Sequence, residues 1–279
     1  MHRINLENNN IRLDLINDVD CDKSYKKIIN GIEINRTIIN KKNTYKYNKS
    51  EGEYISIFFD DSSDYSSKEK IIKVLTNELK RILKKKKLNK KDVLVVGLGN
   101  INSTPDSLGP KVIKMIISTR CIDIISELDK SYSVVSKISP GVFGDTGIEA
   151  FDIIKGIIDR IHPKYLIVID SLASKTLKNV NRVIQITDSG IDPGSGVGNQ
   201  RKEISKHTTG IDVISIGVPT VVNLHTIIKD TLNEYDLEEY LSNKPNNYMV
   251  TPKEVDFVID NLSYIISKSI NNTLHNKTK

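Results

Sequence analysis

Short runs of apolar residues alternate along the chain with segments in which apolar residues recur every three or four positions. The runs predict buried strands at residues 93–96, 132–136, 165–169, 181–186 and 212–222. The intervening segments predict helices, including one at 110–118 and one that ends at Arg160. This alternation is typical of an α/β fold whose mostly parallel sheet has helices on both faces. Earlier runs at 32–39 and 54–59 predict a small N-terminal β-containing extension.

Two longer amphipathic helices carry signals for their first turns. Ser66 and Glu69 have the spacing of a capping box at the start of the first. Thr251 and Glu254 have the same spacing near the C-terminus, with Pro252 at the predicted first helical position. Both helices are predicted to pack their apolar stripes on the sheet.

The cysteines and the apolar runs of the sequence indicate the cellular compartment in which the protein is expected. Cys21 and Cys121 lie far apart without a CxxC spacing, so the sequence predicts neither a disulfide framework nor a cysteine metal cage. The first ten residues contain no apolar signal segment, and no run has the length of a membrane span. We therefore expect a cytoplasmic protein that has no membrane partner.

The formal net charge of +6 raises the question of a nucleic-acid partner. Much of the basic charge lies in one cluster, at Lys84 to Lys87 with Lys90 and Lys91. This cluster ends a predicted helix, where cations complement the helix dipole. We interpret it as a solvated helix end rather than a nucleic-acid patch, and we expect no direct nucleic-acid binding.

Two acids follow predicted strands. Asp106 lies in a polar loop after the strand at 93–96, and Asp170 comes directly after the strand at 165–169. Ligands of open α/β sheets gather at the carboxyl ends of strands, so both acids are candidates for a site, although an Asp after Pro also suits a simple turn. Gly97 and Gly99 lack the third glycine of a dinucleotide fingerprint, since position 102 is Asn102. We therefore predict no cofactor.

Two loops are rich in glycine, one at 139–147 before a predicted helix and one at 188–199. The longer loop can turn backbone N–H groups toward an anion or a carbonyl oxygen, although it also fits a flexible connection. No HExxH or GxSxG motif occurs, and we predict no metal site. His225 follows an apolar strand and either approaches the site or is an ordinary residue at the start of a helix.

Several of these stretches together resemble one known family. They are GLGNINSTPDSLGP at 97–110, SPGVFGDTGIEAFDII at 139–154, the long segment at 168–205 with its glycine loop, and IGVPTVV at 216–222. The family they resemble is the germination protease of spore-forming bacteria, which degrades small acid-soluble spore proteins. The resemblance covers roughly residues 10 to 275, and the residues at 249–266 look like that family's C-terminal helix.

The resemblance implies an atypical aspartic endopeptidase that is made as a zymogen, works as a homotetramer and acts in the spore core. It also implies a fold similar to that of the hydrogenase-maturation peptidases. The family's proposed catalytic pair falls on Asp106 and Asp170. Two close carboxylates share a proton, which provides one base for water and one acid for the leaving nitrogen. This chain is short for the family between Val222 and Tyr248, and its N-terminal part is lean and Asn-rich.

Residues 11–15, Ile-Arg-Leu-Asp-Leu, resemble the segment near which the family's zymogen cuts itself. We therefore expect a pro-segment at 1–14, autoprocessing at the Asp14–Leu15 bond, and one peptidase domain at 15–279 that includes an N-terminal extension at about 15–65. The alternative is a frayed terminus without a function.

Three other functions fit parts of the pattern. A metal-dependent peptidase of the hydrogenase-maturation type needs a third ligand, for which His225 is the candidate. A phosphorylase-like enzyme would hold phosphate at 194–198, GSGVG. A basic spore protein on a peptidase scaffold would bind DNA without catalysis, but the acids present at both positions argue against that function.

Overall fold

The computed structural model describes residues 24–47, 49–89, 91–125, 132–194, 201–232 and 248–275. The expected pro-segment at 1–14, the Asp14–Leu15 bond and residues 195–200 of the long glycine loop lie outside the described residues. Within them the chain has the predicted α/β fold, and strands and helices alternate from Val93 onward.

Nine strands of the described chain form one sheet. They are β1 (Ser24–Ile29), β2 (Ile32–Ile39), β3 (Gly52–Phe58), β4 (Val93–Gly97), β5 (Val135–Ile138), β6 (Tyr165–Ser174), β7 (Val183–Thr187), β8 (Asp212–Asn223) and β9 (Met249–Val250). Their order is β1-β2-β3-β7-β8-β6-β4-β5, and β9 pairs with β8. The strands β5, β4, β6 and β8 pair in parallel, whereas β7 and the N-terminal strands pair antiparallel. The N-terminal extension therefore continues the same sheet.

Helices connect these strands and cover the sheet. They are α1 (Thr44–Tyr47), α2 (Tyr65–Lys85), α3 (Leu108–Met115), α4 (Arg120–Ile125), α5 (Phe143–Thr146), α6 (Ala150–Ile161), α7 (Lys206–Thr209), α8 (Leu224–Leu232) and α9 (Val255–Leu274). Short 3₁₀ turns occur at Lys41–Asn43, Thr104–Asp106 and Leu177–Asn179. No helix among the described residues is both long and apolar enough to cross a bilayer.

Alternate side chains of the central strands pack on opposite sides of the sheet, as the two-residue period of a strand requires. On one side, α2, α3 and α9 form a core with strand residues that include Val95 and Ile167. On the other side, α6 packs against Val96 and Val168. Asp170 has the same parity as Val168, so its side chain lies on the α6 side of the sheet.

Both predicted capping boxes are wrong. The N-cap of α2 is Asp64, whose carboxylate accepts the N–H of Ser67 at 3.0 Å. The helix α9 begins only at Val255, after Glu254. The Thr251 hydroxyl instead donates to the Thr220 carbonyl at 2.8 Å and ties the chain before α9 to β8.

Several element boundaries also differ from those expected. The strand β6 continues through Asp170 to Ser174, so Asp170 does not end its strand. The helix expected at 110–118 spans Leu108–Met115. The helix expected after the loop at 139–147 spans Ala150–Ile161, and that loop itself contains the short helix α5, which Gly147 caps with a φ of 68°. The strand β1 was not predicted at all, and it joins β2 through a tight turn at Asn30 and Gly31.

Part of the basic cluster at the end of α2 is bound to acids of neighbouring segments. Lys85 contacts Glu53 at 2.8 Å, and Lys86 contacts Asp188 at 3.1 Å. Burial acts to raise the pKa of Glu53, but the hydrogen bonds from Lys85 and Arg81 outweigh it and hold that pKa below its usual 4.5. These lysines therefore help to fasten α2 to the antiparallel half of the sheet.

Candidate active site

A cavity of about 430 Å³ lies at the carboxyl ends of β4 and β6, and both Asp106 and Asp170 line it. The chain leaves β4 toward β5 on one side and leaves β6 toward β7 on the other. This is the kind of position, where successive connections of a parallel sheet diverge, at which α/β proteins bind ligands. The structure thus brings together the two acids that the sequence singled out.

Asp106 is held by the loop that follows β4. The backbone N–H of Asn100 donates to Oδ2 of Asp106 at 2.8 Å. Gly99 has a φ of 109°, and a Cβ there would lie 2.0 Å from the Asp106 carbonyl oxygen. Burial raises the pKa of the Asp106 carboxyl above its usual 3.8, and the hydrogen bond from Asn100 only partly offsets it.

A contact between two glycines brings the start of α3 against the end of β4. A Cβ on Gly97 would lie 2.2 Å from the Gly109 carbonyl oxygen, and a Cβ on Gly109 would lie 2.2 Å from the Leu98 carbonyl oxygen. Neither position accepts a larger side chain without movement of the backbone. The Asp106 turn is therefore clamped between the end of β4 and the first turn of α3.

Asp170 is held by β6. Only 6% of the residue is exposed, and it pairs in register with Gly217 of β8. The N–H of Ser171 donates to Oδ1 of Asp170 at 2.9 Å. The neighbouring strand β4 ends one register position earlier, where Gly97 pairs with Ile169. Asp170 is thus beside the point where β4 ends, although its own strand continues.

The opposite wall of the cavity joins two segments that are far apart in sequence. Arg201 donates to Oε1 of Glu149 at 2.8 Å, and its guanidinium lies 5.4 Å from the centre of the Phe143 ring. Lys202 lies 4.0 Å from the centre of the Phe151 ring. These residues lie in the stretches at 139–154 and 168–205 that carry the family resemblance, but no sequence pattern marked them individually as residues of the site.

The base of the long glycine loop is closed by backbone hydrogen bonds. The N–H of Ile191 donates to the Ile204 carbonyl at 3.0 Å, and the N–H of Ile204 donates back at 2.9 Å. Asp192, Pro193 and Gly194 then line the cavity. Asp192, like Glu149, is therefore a further acid that lines the cavity beside the predicted pair.

His225 is not among the residues that line this cavity. It lies in the first turn of α8, where its N–H donates to Oδ1 of Asn223 at 2.8 Å. Among the residues that the structure describes, no group of three or more His, Cys, Asp or Glu side chains has an arrangement that could hold a metal ion.

Comparison with the sequences of known proteins shows the family of this chain. The family model of the germination protease matches residues 2–240. The chain belongs to the germination protease family. Among the relatives, the germination protease of Clostridium tetani is 41% identical over 84% of this chain and 82% of its own length. That of Clostridium acetobutylicum is 38% identical over 94% of both chains, and that of Bacillus subtilis is 35% identical over 88% of this chain and 84% of its own.

Among solved structures, a [NiFe] hydrogenase maturation protease, HycI from Thermococcus kodakarensis, aligns with 70% of this chain and 99% of its own. The TM-score is 0.37 and the identity is 14%. A similarity at this level supports no conclusion about the site. Membership of the germination protease family rests on the sequence matches, and it makes the chain a protease of spore germination.

Proposed function

We propose that the chain is an endopeptidase that degrades small acid-soluble spore proteins and that Asp106 and Asp170 are its catalytic pair. The observation that carries the proposal is that both carboxylates line one cavity at the ends of adjacent parallel strands. Family membership supports the class of reaction, and the resemblance of the motifs supports the substrate. The same resemblance supports action in the spore core as a homotetramer.

The two carboxyl groups have complementary tasks in this mechanism. One takes a proton from water as the water oxygen bonds to the substrate carbonyl carbon, and the other gives a proton to the nitrogen as the C–N bond breaks. Since burial raises the pKa of Asp106, we assign the acid role to Asp106. Asp170, which accepts the N–H of Ser171, then acts as the base.

The test is digestion of a purified small acid-soluble spore protein, followed by mass mapping of the fragments. Asp106→Asn and Asp170→Asn are each expected to abolish cleavage in a folded protein. Asp152→Asn is the matched control, because Asp152 is an exposed acid on α6 that is not among the lining residues. Substantial cleavage by either folded site variant would remove that residue from the mechanism.

A chelation experiment separates this mechanism from the metal-dependent one. Cleavage by the wild type is expected to survive exhaustive chelation, because the proposed pair activates water without a metal ion. Loss of activity that returns on adding a divalent metal would instead support the metal-dependent peptidase.

We also propose that residues 1–14 are a pro-segment, that the enzyme cuts the Asp14–Leu15 bond itself, and that residues 15–279 form the peptidase domain. Support comes from the resemblance at residues 11–15. N-terminal sequencing after mild acid treatment is expected to find a new terminus at Leu15 in the wild type but not in Asp170→Asn. A fully active enzyme that still begins at Met1 would contradict the zymogen.

A further inference from the structure

One aromatic side chain lies in the cavity wall without being buried. Phe143 lines the cavity, yet 46% of the residue is exposed. Among the described residues, its ring belongs to neither of the two hydrophobic cores that flank the central sheet. Covering apolar surface that is in contact with water is favourable. Phe143 therefore offers the cavity an apolar surface on which a ligand can pack.

The ring is held in place by a charged neighbour. The Arg201 guanidinium lies 5.4 Å from the centre of the Phe143 ring, within the range of a cation–π interaction. Arg201 is itself fixed, because it donates to the Glu149 carboxylate at 2.8 Å. A planar guanidinium can bind a carboxylate at its edge and an aromatic ring at its face. The position of this exposed ring is thus set by Arg201 rather than by packing in a core.

The backbone that carries the ring is a small hydrogen-bonded unit. Phe143 is the first residue of α5, and its carbonyl accepts the N–H of Gly147 at 2.8 Å. The Val142 carbonyl accepts the N–H of Asp145 at 3.0 Å. Gly141 and Gly147, at the two ends of the unit, have φ values of 78° and 68°. Since this unit is ordered before a ligand binds, little conformational entropy is lost when one does.

We propose that Phe143, held by Arg201, packs on the bound polypeptide substrate and covers it from solvent. This inference rests on the proposed peptidase function. The cavity holds about 430 Å³ and is lined by Phe143 as well as by Asp106 and Asp170. A polypeptide whose scissile bond reaches the two carboxylates fills this space and contacts the wall that Phe143 forms. Phe143 is then a substrate-binding residue that contributes to KM without taking part in the proton transfers.

The chain contains no tryptophan, so Phe143→Trp introduces a single fluorescent reporter at the proposed contact. The variant also carries Asp170→Asn, so that binding is measured without turnover. It is titrated with a purified small acid-soluble spore protein whose own emission is subtracted, and binding is followed in parallel by calorimetry. We expect the emission to shift to shorter wavelength and its quenching by acrylamide to fall. Phe257→Trp is the matched control and is expected to show neither change, because Phe257 is 54% exposed but is not among the lining residues.

Kinetics give the second measurement. Phe143→Ala is expected to raise KM for spore-protein cleavage roughly tenfold, the affinity that covering about 60 Å² of apolar surface provides, and to leave kcat nearly unchanged. Phe257→Ala is expected to change neither constant.

A reporter at Phe143 that becomes protected supports the inference even if the wild type cleaves nothing, an outcome that would refute the proposed function alone. Unchanged emission and quenching when calorimetry shows saturation, no binding of the spore protein, or an unchanged KM in Phe143→Ala would overturn the inference.

Discussion

Gly99→Ala tests whether the position of Asp106 governs activity. An ordinary Cβ contact begins at 3.4 Å, and the new Cβ would lie 2.0 Å from the Asp106 carbonyl oxygen, so that oxygen must move by about 1.4 Å (3.4 minus 2.0). A misplacement near 1 Å costs an enzyme about 100-fold in rate. The φ of 109° at Gly99 adds strain of about 1–3 kcal/mol to the folded state.

The assay compares kcat/KM for spore-protein cleavage with the free energy of unfolding in urea. We expect Gly99→Ala to remain folded at 25 °C, to lose about 100-fold in kcat/KM and to lose about 1–3 kcal/mol of stability. Gly156→Ala is the matched control, because a Cβ there meets nothing within 4 Å and the position lies inside α6. That control is expected to keep full activity and gain about 0.5–1 kcal/mol. Full activity in folded Gly99→Ala would refute the reasoning.

Three further predictions concern stability. The folded state raises the pKa of Asp106, so this carboxyl lowers the free energy of unfolding as pH rises above 3.8. Asp106→Asn is therefore expected to resist urea better than the wild type at pH 7 but not at pH 3. Lower resistance of the variant at pH 7 would contradict this reasoning. The folded state lowers the pKa of Glu53, so the charged carboxylate stabilises the fold above pH 4.5 and this stabilisation is lost in acid. Glu53→Gln is expected to lower the free energy of unfolding by about 2 kcal/mol at pH 7 and by little at pH 3. Equal losses at both pH values would contradict this prediction. His162 caps α6 with a φ of 49°, so His162→Gly is expected to gain about 1 kcal/mol in thermal unfolding, and a lower melting temperature would exclude relief of strain.

The parallel core was predictable because its strands are buried on both faces and therefore form unbroken apolar runs. The same reasoning placed Asp106 and Asp170 at one edge of the sheet, since carboxyl ends of parallel strands meet there. The continuation of β6 to Ser174 was not predictable in this way, because the residues that follow Asp170 are mostly small or polar and carry no run signal. The structure shows that this continuation forms part of the cavity.

Other misses have local or long-range causes. The strand β1 is exposed over nearly its whole length, so its sequence, SYKKII, lacks the alternation of apolar and polar residues that predicts a strand. At the start of α2, Asp64 and Ser66 both have side chains suited to capping, and the sequence does not decide between them. The contact between Glu149 and Arg201 joins residues 52 positions apart, and no local pattern predicts such a pair.

The place of β3 in the sheet has a consequence for synthesis on the ribosome. Its partner β7 ends only at Thr187, so β3 cannot pair with β7 until most of the chain has been made. At bacterial elongation rates this delay is on the order of 10 s. During that time α2, which directly follows β3 in the sequence, can cover Ile55 and Ile57 of the unpaired strand β3. A chain released before β7 would retain an open strand edge, the feature that exposes nascent proteins to aggregation.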